Sequence, residues 1–360
     1  MKTLPQTQIG SWQQAVTTSD GAWLTRGSFS KNFTFTVRNF MNNSLLYYLH
    51  LCQRGNDDID DTLYPRTSKS AEGYAAEKCF QQAKQEKMNV EVNWQDNDSS
   101  SIKSFKNVYQ GENNKVMFCG GHVTRAHTNQ LNKLAAMKSA SAAFISRHKA
   151  EYPKLEKIEC TCQKRHFPNC GCLSEKFVRQ ARINHSCAIV EAGHTKNPQT
   201  YRDILLQLGK YHSRNVHVWK GGNCVFHPLN VCSCGTCDEK SDPTCKGKPY
   251  SSKSSLSCEF HALLYEIELN ERAKMADKII HPDLGKGHSN FPEASHCVWS
   301  KFRSKNSNIQ RLHYIVSTNL ELLQSNMSWF IAKKGLTYHW LLELYSRLSL
   351  LFYQVYRKLA

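Results

Sequence analysis

The order of the predicted strands and helices in the first 150 residues is the feature that most constrains the fold. Three strand patterns come first: one ending at Asp20, then Asn32–Phe40, which alternates aromatic or β-branched residues with polar ones, then Ser44–Cys52, a short apolar run. Asn42 and Asn43 favour a turn between the last two. Such short connections predict three antiparallel neighbours in one sheet.

Helical and strand patterns then alternate. Glu72–Lys87 has helix formers throughout, residues 90–94 alternate as a strand does, Ser99–Tyr109 is typical of a serine-capped helix, Lys115–Phe118 of a short strand and His122–His148 of one long helix. This order predicts an α/β fold with a mixed sheet flanked by helices, the ribonuclease-H-like arrangement among others. Such a sheet brings the ends of its first and fourth strands side by side, where ligands bind.

Three acidic residues stand where this sheet would bring them together. Asp20 ends the first strand, before Gly21, which permits a sharp departure from it; Asp96 keeps the parity of the fourth strand; Glu293 follows Pro292 at a helix start. Carboxylates at strand ends plus one on a helix suit two Mg²⁺ or Mn²⁺ ions acting on a phosphodiester. The structural alternatives are an Asp-Gly turn, a helix cap and a favourable charge in the first turn of a helix.

Several residues near these acids are candidates for supporting roles. Asp98 is expected to cap the next helix or to support the site. Cys119 and His122 form a Cys-x-x-His pair with too few adjacent ligands for a local zinc site, so we expect it to act beside the carboxylates. Arg125 and His127, on the first turns of the same helix, are candidates for phosphate contacts.

A block rich in cysteine and histidine follows, and it holds most of the 15 cysteines. Because the first residues lack the apolar core of a signal peptide, we expect these cysteines to be reduced and to hold structural Zn²⁺. Cys160 and Cys162 with Cys170 and Cys172 make one possible four-thiolate set, and the pairing of the others stays open. The candidate ligands are Cys160, Cys162, Cys170, Cys172, Cys224, His227, Cys232, Cys234, Cys237, Cys245, Cys258 and His261.

The charge balance favours a polyanionic partner. The formal net charge is +17 at pH 7, and neutralising phosphates with basic side chains releases counterions. The partly apolar stretch Leu341–Ala360 carries charged residues, which argues against a membrane span. The candidates for DNA backbone contacts are Arg26, Arg125, Lys301, Arg303 and Lys305.

Four segments, taken in order, resemble the Mutator-like transposase domain. They are residues 19–27 (SDGAWLTRG), 94–101 (WQDNDSSS), 119–127 (CGGHVTRAH) and 287–296 (GHSNFPEASH). The likeness runs from about Val16 to about Gly335, and its specificity lies in the order and spacing of these segments.

The resemblance implies a ribonuclease-H-like fold with a catalytic Asp, Asp, Glu triad. Carried over, the acids are Asp20, Asp96 and Glu293, with Asp98 the less favoured second acid. The Cys-x-x-His signature of such transposases falls on Cys119 and His122, and the cysteine-rich block matches the insertion that interrupts the fold.

The predicted organisation is a first part of the catalytic core at 1–150, an insertion at 151–285, the final catalytic helix region at 286–335 and a C-terminal helical segment at 336–360. The function expected is that of a DDE-type transposase catalytic domain that cleaves and transfers DNA strands in the nucleus, a homo-oligomer being one option. Since 19 residues precede Asp20, we expect no separate N-terminal DNA-binding module, as in a truncated or domesticated copy. The alternative is a catalytically inactive, transposon-derived DNA-binding or zinc-scaffolded interaction protein.

Overall fold

The chain contains two compact units. The first comprises Met1–Val116 with His288–Ala360, and the second comprises Met117–Gly287. These boundaries differ from the divisions at 150 and 285 expected from the sequence. The computed structural model describes residues 12–24, 31–53, 64, 66–110, 113–162, 165–166, 169–170, 173–220, 222–225, 256–292 and 311–334. No helix in these ranges is both long and apolar enough to cross a membrane.

The first unit is built on a five-stranded mixed sheet. Its strands are β1 (Ala15–Trp23), β2 (Asn32–Asn39), β3 (Leu45–Cys52), β4 (Val90–Gln95) and β5 (Lys115–Phe118), and the unit boundary falls within β5. The strand order is β3-β2-β1-β4-β5. β2 is antiparallel to β1 and β3, whereas β4 is parallel to β1. The predicted antiparallel meander and the adjacency of the first and fourth strands are therefore confirmed.

Two helices contribute to the apolar core of this sheet. They are α1 (Ser68–Gln85) and α2 (Ser99–Val108). Phe33 of β2, Phe80 of α1 and Phe105 of α2 are fully buried in one cluster, and the rings of the last two lie 4.9 Å apart. Burial of each such side chain contributes roughly 1.5–3 kcal/mol, so this aromatic core holds both helices on the sheet.

The helix Arg311–Lys334 packs on the same sheet through polar contacts. His50 Nε2 of β3 is 2.9 Å from Asn319 Oδ1. Arg38 and Glu321 are fully buried and attract each other; burial lowers the pKa of Arg38 to about 10, and Glu321 partly offsets this shift. Because an unpaired buried charge costs several kcal/mol, the two charges depend on each other.

The second unit is mainly helical. Its helices are α3 (Gly120–Ala135), α4 (Ala142–His148), α5 (Glu175–Thr195), α6 (Pro198–Lys210), α7 (Glu259–Ala273) and α8 (Ala276–Ile279). The two-residue strands form the hairpins β6–β7 (Arg165–His166 and Asn169–Cys170), β8–β9 (Val218–Trp219 and Gly222–Asn223) and β10–β11 (Ile280–His281 and Gly285–Lys286). α3 packs on α5 and α7, and α6 packs on α5 and α7.

A buried polar group joins α3 to α7. His127 Nδ1 donates to Glu268 Oε1 at 3.1 Å, and Arg272 Nε donates to the same oxygen at 2.7 Å. Burial, reinforced by Arg272, lowers the pKa of His127 to about 3. Since His127 is fully buried, its predicted phosphate contact is wrong.

Two helix predictions need correction. The single helix expected over 122–148 is two helices, because the chain leaves the helical path after Ala135 and restarts where Ser141 Oγ accepts from the Phe144 N–H. α1 begins at Ser68, four residues before the predicted start. The Ser141 cap determines where α4 begins. The periodicity of apolar residues does not reveal the break between the two helices.

Candidate functional site

Asp20 and Asp96 lie at the same end of the β1–β4 pair. The last pair of the parallel ladder is Thr18 with Trp94, and Asp20 and Asp96 each follow this pair by two residues. β4 ends at Gln95, which leaves Asp96 just beyond its carboxyl end. Both carboxylates are half-buried. The parallel pairing thus puts two acids that are far apart in the sequence at the same end of neighbouring strands.

Gly21 has a different role from the one predicted. β1 does not turn after Asp20 but continues to Trp23, with Gly21 paired to Phe35 of β2. A Cβ on Gly21 would lie 2.4 Å from the ring of Phe33, which is fully buried. Glycine is therefore required for close packing over the Phe33 ring.

A buried chain of polar side chains fixes the register of β1 and β4. Thr17 Oγ1 donates to Asn93 Oδ1 at 2.9 Å, and Asn93 Nδ2 donates to Ser19 Oγ at 2.9 Å and to Gln95 Oε1 at 2.7 Å. Gln95 Nε2 then donates to Ser101 Oγ of α2 at 2.8 Å. A shift of the β1–β4 pairing by one residue would break these hydrogen bonds. The hydrogen-bonded side chains therefore also hold Asp20 and Asp96 in place.

The segment 288–292 lies against the same strand ends. Thr18 Oγ1 donates to the His288 carbonyl at 3.2 Å, and Ser289 Oγ donates to Asp96 Oδ1 at 3.4 Å. The Phe40 ring packs 5.3 Å from the ring of His288. Residues 290–292 are helical, and Pro292 is the last described residue before the helix Arg311–Lys334.

The predicted acidic site lies only partly within the described residues. Within the described ranges, neither Asp20 nor Asp96 belongs to a group of three or more side chains able to share a metal ion. The predicted third acid, Glu293, lies outside the described residues, and so do Arg26, Lys301, Arg303 and Lys305. Arg125 is exposed on α3.

Asp98 is the N-cap residue of α2. Its carboxylate accepts from the Ser101 N–H at 2.8 Å and from Ser100 Oγ at 2.6 Å. These bonds use the carboxylate for capping, so the geometry favours Asp96 over Asp98 as the second ligand.

We expect Asp98→Ala to lower the free energy of unfolding by about 1 kcal/mol, because α2 loses its cap. Asp98→Asn keeps a capping oxygen and should lower the free energy of unfolding by about a few tenths of a kcal/mol at most. Urea unfolding of both variants measures the difference. If folded Asp98→Asn protein lost all metal-dependent activity while Asp96→Asn kept it, Asp98 would be the ligand.

Glu72 of α1 adds a fourth carboxyl group to this region. Burial, followed by the charges of Asp98 and Asp96, raises the pKa of Glu72 to about 8. A Cβ on Gly21 would lie 3.4 Å from Glu72 Cγ, which brings this side chain close to β1. From the sequence, Glu72 was predicted only to be the first residue of a helix.

The raised pKa predicts a stability that falls with pH. Glu72 holds its proton in the folded state up to about pH 8 but releases it near the ordinary glutamate pKa of 4.5 when unfolded, so its contribution to stability is complete below about pH 4.5 and is lost as pH rises through 8. Glu72→Gln stays neutral and should be more stable than the unmodified chain at pH 8.5, by on the order of 1 kcal/mol for this half-buried group. Urea unfolding at pH 5.5 and pH 8.5, without added Mg²⁺, checks this; an equal effect at both values would contradict it.

Cys119 and His122 lie in the second unit. Cys119 is buried at the N-cap position of α3, and His122 is half-buried in the first turn. Among the described residues, neither belongs to a group able to hold a metal.

Four side chains of the second unit form a group that could hold a metal. They are Cys160, Cys162, Cys258 and His261, whose ligand atoms all lie within 4.8 Å of one another. Cys258 is the N-cap residue of α7, and His261 lies fully buried in its first turn. The first two thiols therefore lie beside α7, whereas the sequence analysis set them with Cys170 and Cys172. The Cys170 side chain and all of Cys172 lie outside the described part.

The surroundings of Cys258 favour its thiolate. Burial raises the pKa of Cys258, but hydrogen bonds from the backbone N–H groups of His261 and Thr161 and from the neighbouring thiols outweigh it, so the pKa lies below its ordinary value. The thiolate is the form that binds metals.

A second group able to hold a metal consists of His212, His217 and Cys224. Of these, only Cys224 was predicted, although His212 and His217 are separated by four residues, within the His-x3-5-His spacing common in zinc sites. The predicted ligands His227, Cys232, Cys234, Cys237 and Cys245 lie outside the described residues.

Comparison with protein-family models, with curated proteins and with solved structures finds no match to this chain.

Proposed function

We propose that this chain carries the catalytic core of a DDE-type transposase, an enzyme that cleaves and transfers DNA strands with divalent metal ions. The observation that carries this proposal is the parallel pairing of β1 with β4, because Asp20 and Asp96 each follow its last paired residues by two positions. The segment ending at Pro292 packs on the same strand ends, and Glu293 follows it in the sequence. We assign Glu293 as the third acid.

The sheet supports a ribonuclease-H-like fold for this core. An antiparallel meander of three strands, with a fourth strand parallel to the first and next to it, is the arrangement that the resemblance to Mutator-like transposases implies. In such a sheet the carboxyl end of the parallel pair is the position where a ligand is expected.

The residues at this edge fit a hard divalent cation. Asp20 and Asp96 offer carboxylate oxygens, which Mg²⁺ and Mn²⁺ prefer. Burial, followed by the charges of Asp98 and Asp96, raises the pKa of Glu72, so negative charge accumulates here before any cation binds. A bound cation would supply a polarised phosphate and an activated water or 3′-hydroxyl. Ser289 and the buried hydrogen-bonded side chains of β1 and β4 hold the acids in position.

The group of Cys160, Cys162, Cys258 and His261 supports a structural zinc site in the same protein. Three thiolates and one imidazole are a complete tetrahedral set, which leaves no open position for catalysis. We assign this ion to the folding of the second unit, and the cysteine-rich part of that unit to a zinc-binding insertion in the core.

The formal charge of +17 supports DNA as the partner, and the exposed Arg125 is a candidate for a backbone contact. A DNA strand transferase of this kind would act in the nucleus. Self-association into a homo-oligomer stays a proposal, as do the contacts assigned to Arg26, Lys301, Arg303 and Lys305.

Incubation of the purified chain with labelled linear, hairpin and terminal-repeat DNA tests the proposal. We expect nicked or joined products with Mg²⁺ or Mn²⁺ and none without added divalent metal. DNA binding with no product on any substrate would instead favour the inactive DNA-binding protein. Weak, salt-insensitive DNA binding would favour the zinc-scaffolded interaction module.

A further inference from the structure

We propose that the second unit binds a second zinc ion, held by His212, His217 and Cys224. The ligand atoms of these residues lie within 4.8 Å of one another. His212 Nδ1 is 3.2 Å from Cys224 Sγ. Tetrahedral zinc, with Zn–N of about 2.0 Å and Zn–S of about 2.3 Å, separates two such ligand atoms by roughly 3.5 Å. The group is thus already close to the spacing that one shared ion requires.

The local fold presents these side chains to one point. His212 opens a short 3-10 helix after α6, and the chain then reverses at Asn215, whose φ is +59°. The hairpin β8–β9 returns the chain to Cys224, whose N–H donates to the His217 carbonyl at 2.9 Å. The rings of His212 and His217 meet edge to face at 5.3 Å.

Asn215 prepares His217 to bind a metal. Its Oδ1 accepts a hydrogen bond from His217 Nε2 at 3.0 Å, which places the ring proton on Nε2 and leaves the lone pair on Nδ1. A hydrogen bond to the second ring nitrogen is the usual way in which proteins orient a histidine ligand.

A metal also explains why so small a hairpin is ordered around buried polar groups. β8 and β9 have two residues each, while His212 and Cys224 are both only 3% exposed. Zinc binding commonly contributes folding free energy to such short segments. Two imidazoles and a thiolate suit zinc better than Mg²⁺ or Ca²⁺. The described residues supply three ligands, and the fourth position takes water or another donor.

Zinc content of the purified full-length chain tests the inference, independently of any strand-transfer activity. Cys224→Ser and His217→Ala should each lose one equivalent of zinc relative to the unmodified chain. Cys187→Ser and His194→Ala change exposed residues of α5 outside both groups, so they should lose none. The Co²⁺-substituted protein should show a weaker thiolate-to-metal band in Cys224→Ser, with the stronger band of the three-thiolate group retained.

Unchanged zinc in both Cys224→Ser and His217→Ala would overturn the inference. If His217→Ala lost all its zinc together with its helical circular dichroism, unfolding would be the cause. His217→Cys, which restores a ligand, must then recover the lost zinc. Failure of that rescue in a folded protein would also overturn the inference.

Discussion

Replacing Asp20 or Asp96 with asparagine is expected to abolish metal-dependent DNA cleavage. Each change keeps the side-chain shape but removes the charge that holds a divalent cation. Because metal stabilisation of a phosphodiester transition state amounts to several kcal/mol, activity should fall by at least on the order of a thousandfold. Initial rates with Mg²⁺ and with Mn²⁺ on one labelled substrate measure the loss. Glu293→Gln should behave in the same way.

The matched control is Asp203→Asn, which changes an exposed aspartate on α6 and should leave the rate unchanged. Urea unfolding of each variant separates lost chemistry from lost structure. Removing a carboxylate from this crowded edge should, if anything, raise stability slightly. Retained cleavage in all three single variants would refute the assignment of the acids.

Cys258→Ser should have the largest effect on stability. It removes one thiolate from the group formed with Cys160, Cys162 and His261, and zinc binding to such sets contributes on the order of 10 kcal/mol to folding. We expect loss of one zinc equivalent and several kcal/mol of lost protection in α7, whose first turn carries two of the ligands. Zinc analysis and hydrogen exchange over Glu259–Ala273 measure both effects.

Cys187→Ser controls for the loss of a thiol, since Cys187 is exposed and lies outside this group. Cys162→Ser should reproduce the effect on α7, although it lies far from that helix in the sequence. Full zinc content and unchanged exchange in Cys258→Ser would show that these side chains associate without a metal.

The strand pattern of the first unit was readable from the sequence because β2 and β4 alternate apolar and polar side chains and β3 is a short apolar run. The meander from β1 to β3 follows from short connections, and the placement of β4 beside β1 follows from the order of strands and helices. That order puts Asp20 and Asp96 at the same end of neighbouring strands, whereas their role as metal ligands stays a prediction. The role of Gly21 was not, because its contact with Phe33 depends on packing between strands.

The metal groups show where sequence reasoning fails. Ligands close in the sequence, such as Cys160 and Cys162, are visible as a pair, but their partners Cys258 and His261 are set by tertiary structure. His212 and His217 have the His-x4-His spacing of many zinc sites and were missed, because a local spacing alone does not show that Cys224 joins them in space. Glu72 was missed for a similar reason, since a glutamate near a helix start is ordinary until its neighbours are known.

The group of Cys160, Cys162, Cys258 and His261 joins two segments that are far apart in the sequence. A metal ion bound by this group would close a loop of the chain. The entropic cost of closing a loop rises only slowly with its length, by roughly 0.6 kcal/mol for each doubling. Insertions or deletions between Cys162 and Cys258 that leave α5 and α6 intact can therefore arise during evolution at little thermodynamic cost, provided that both halves of the group survive.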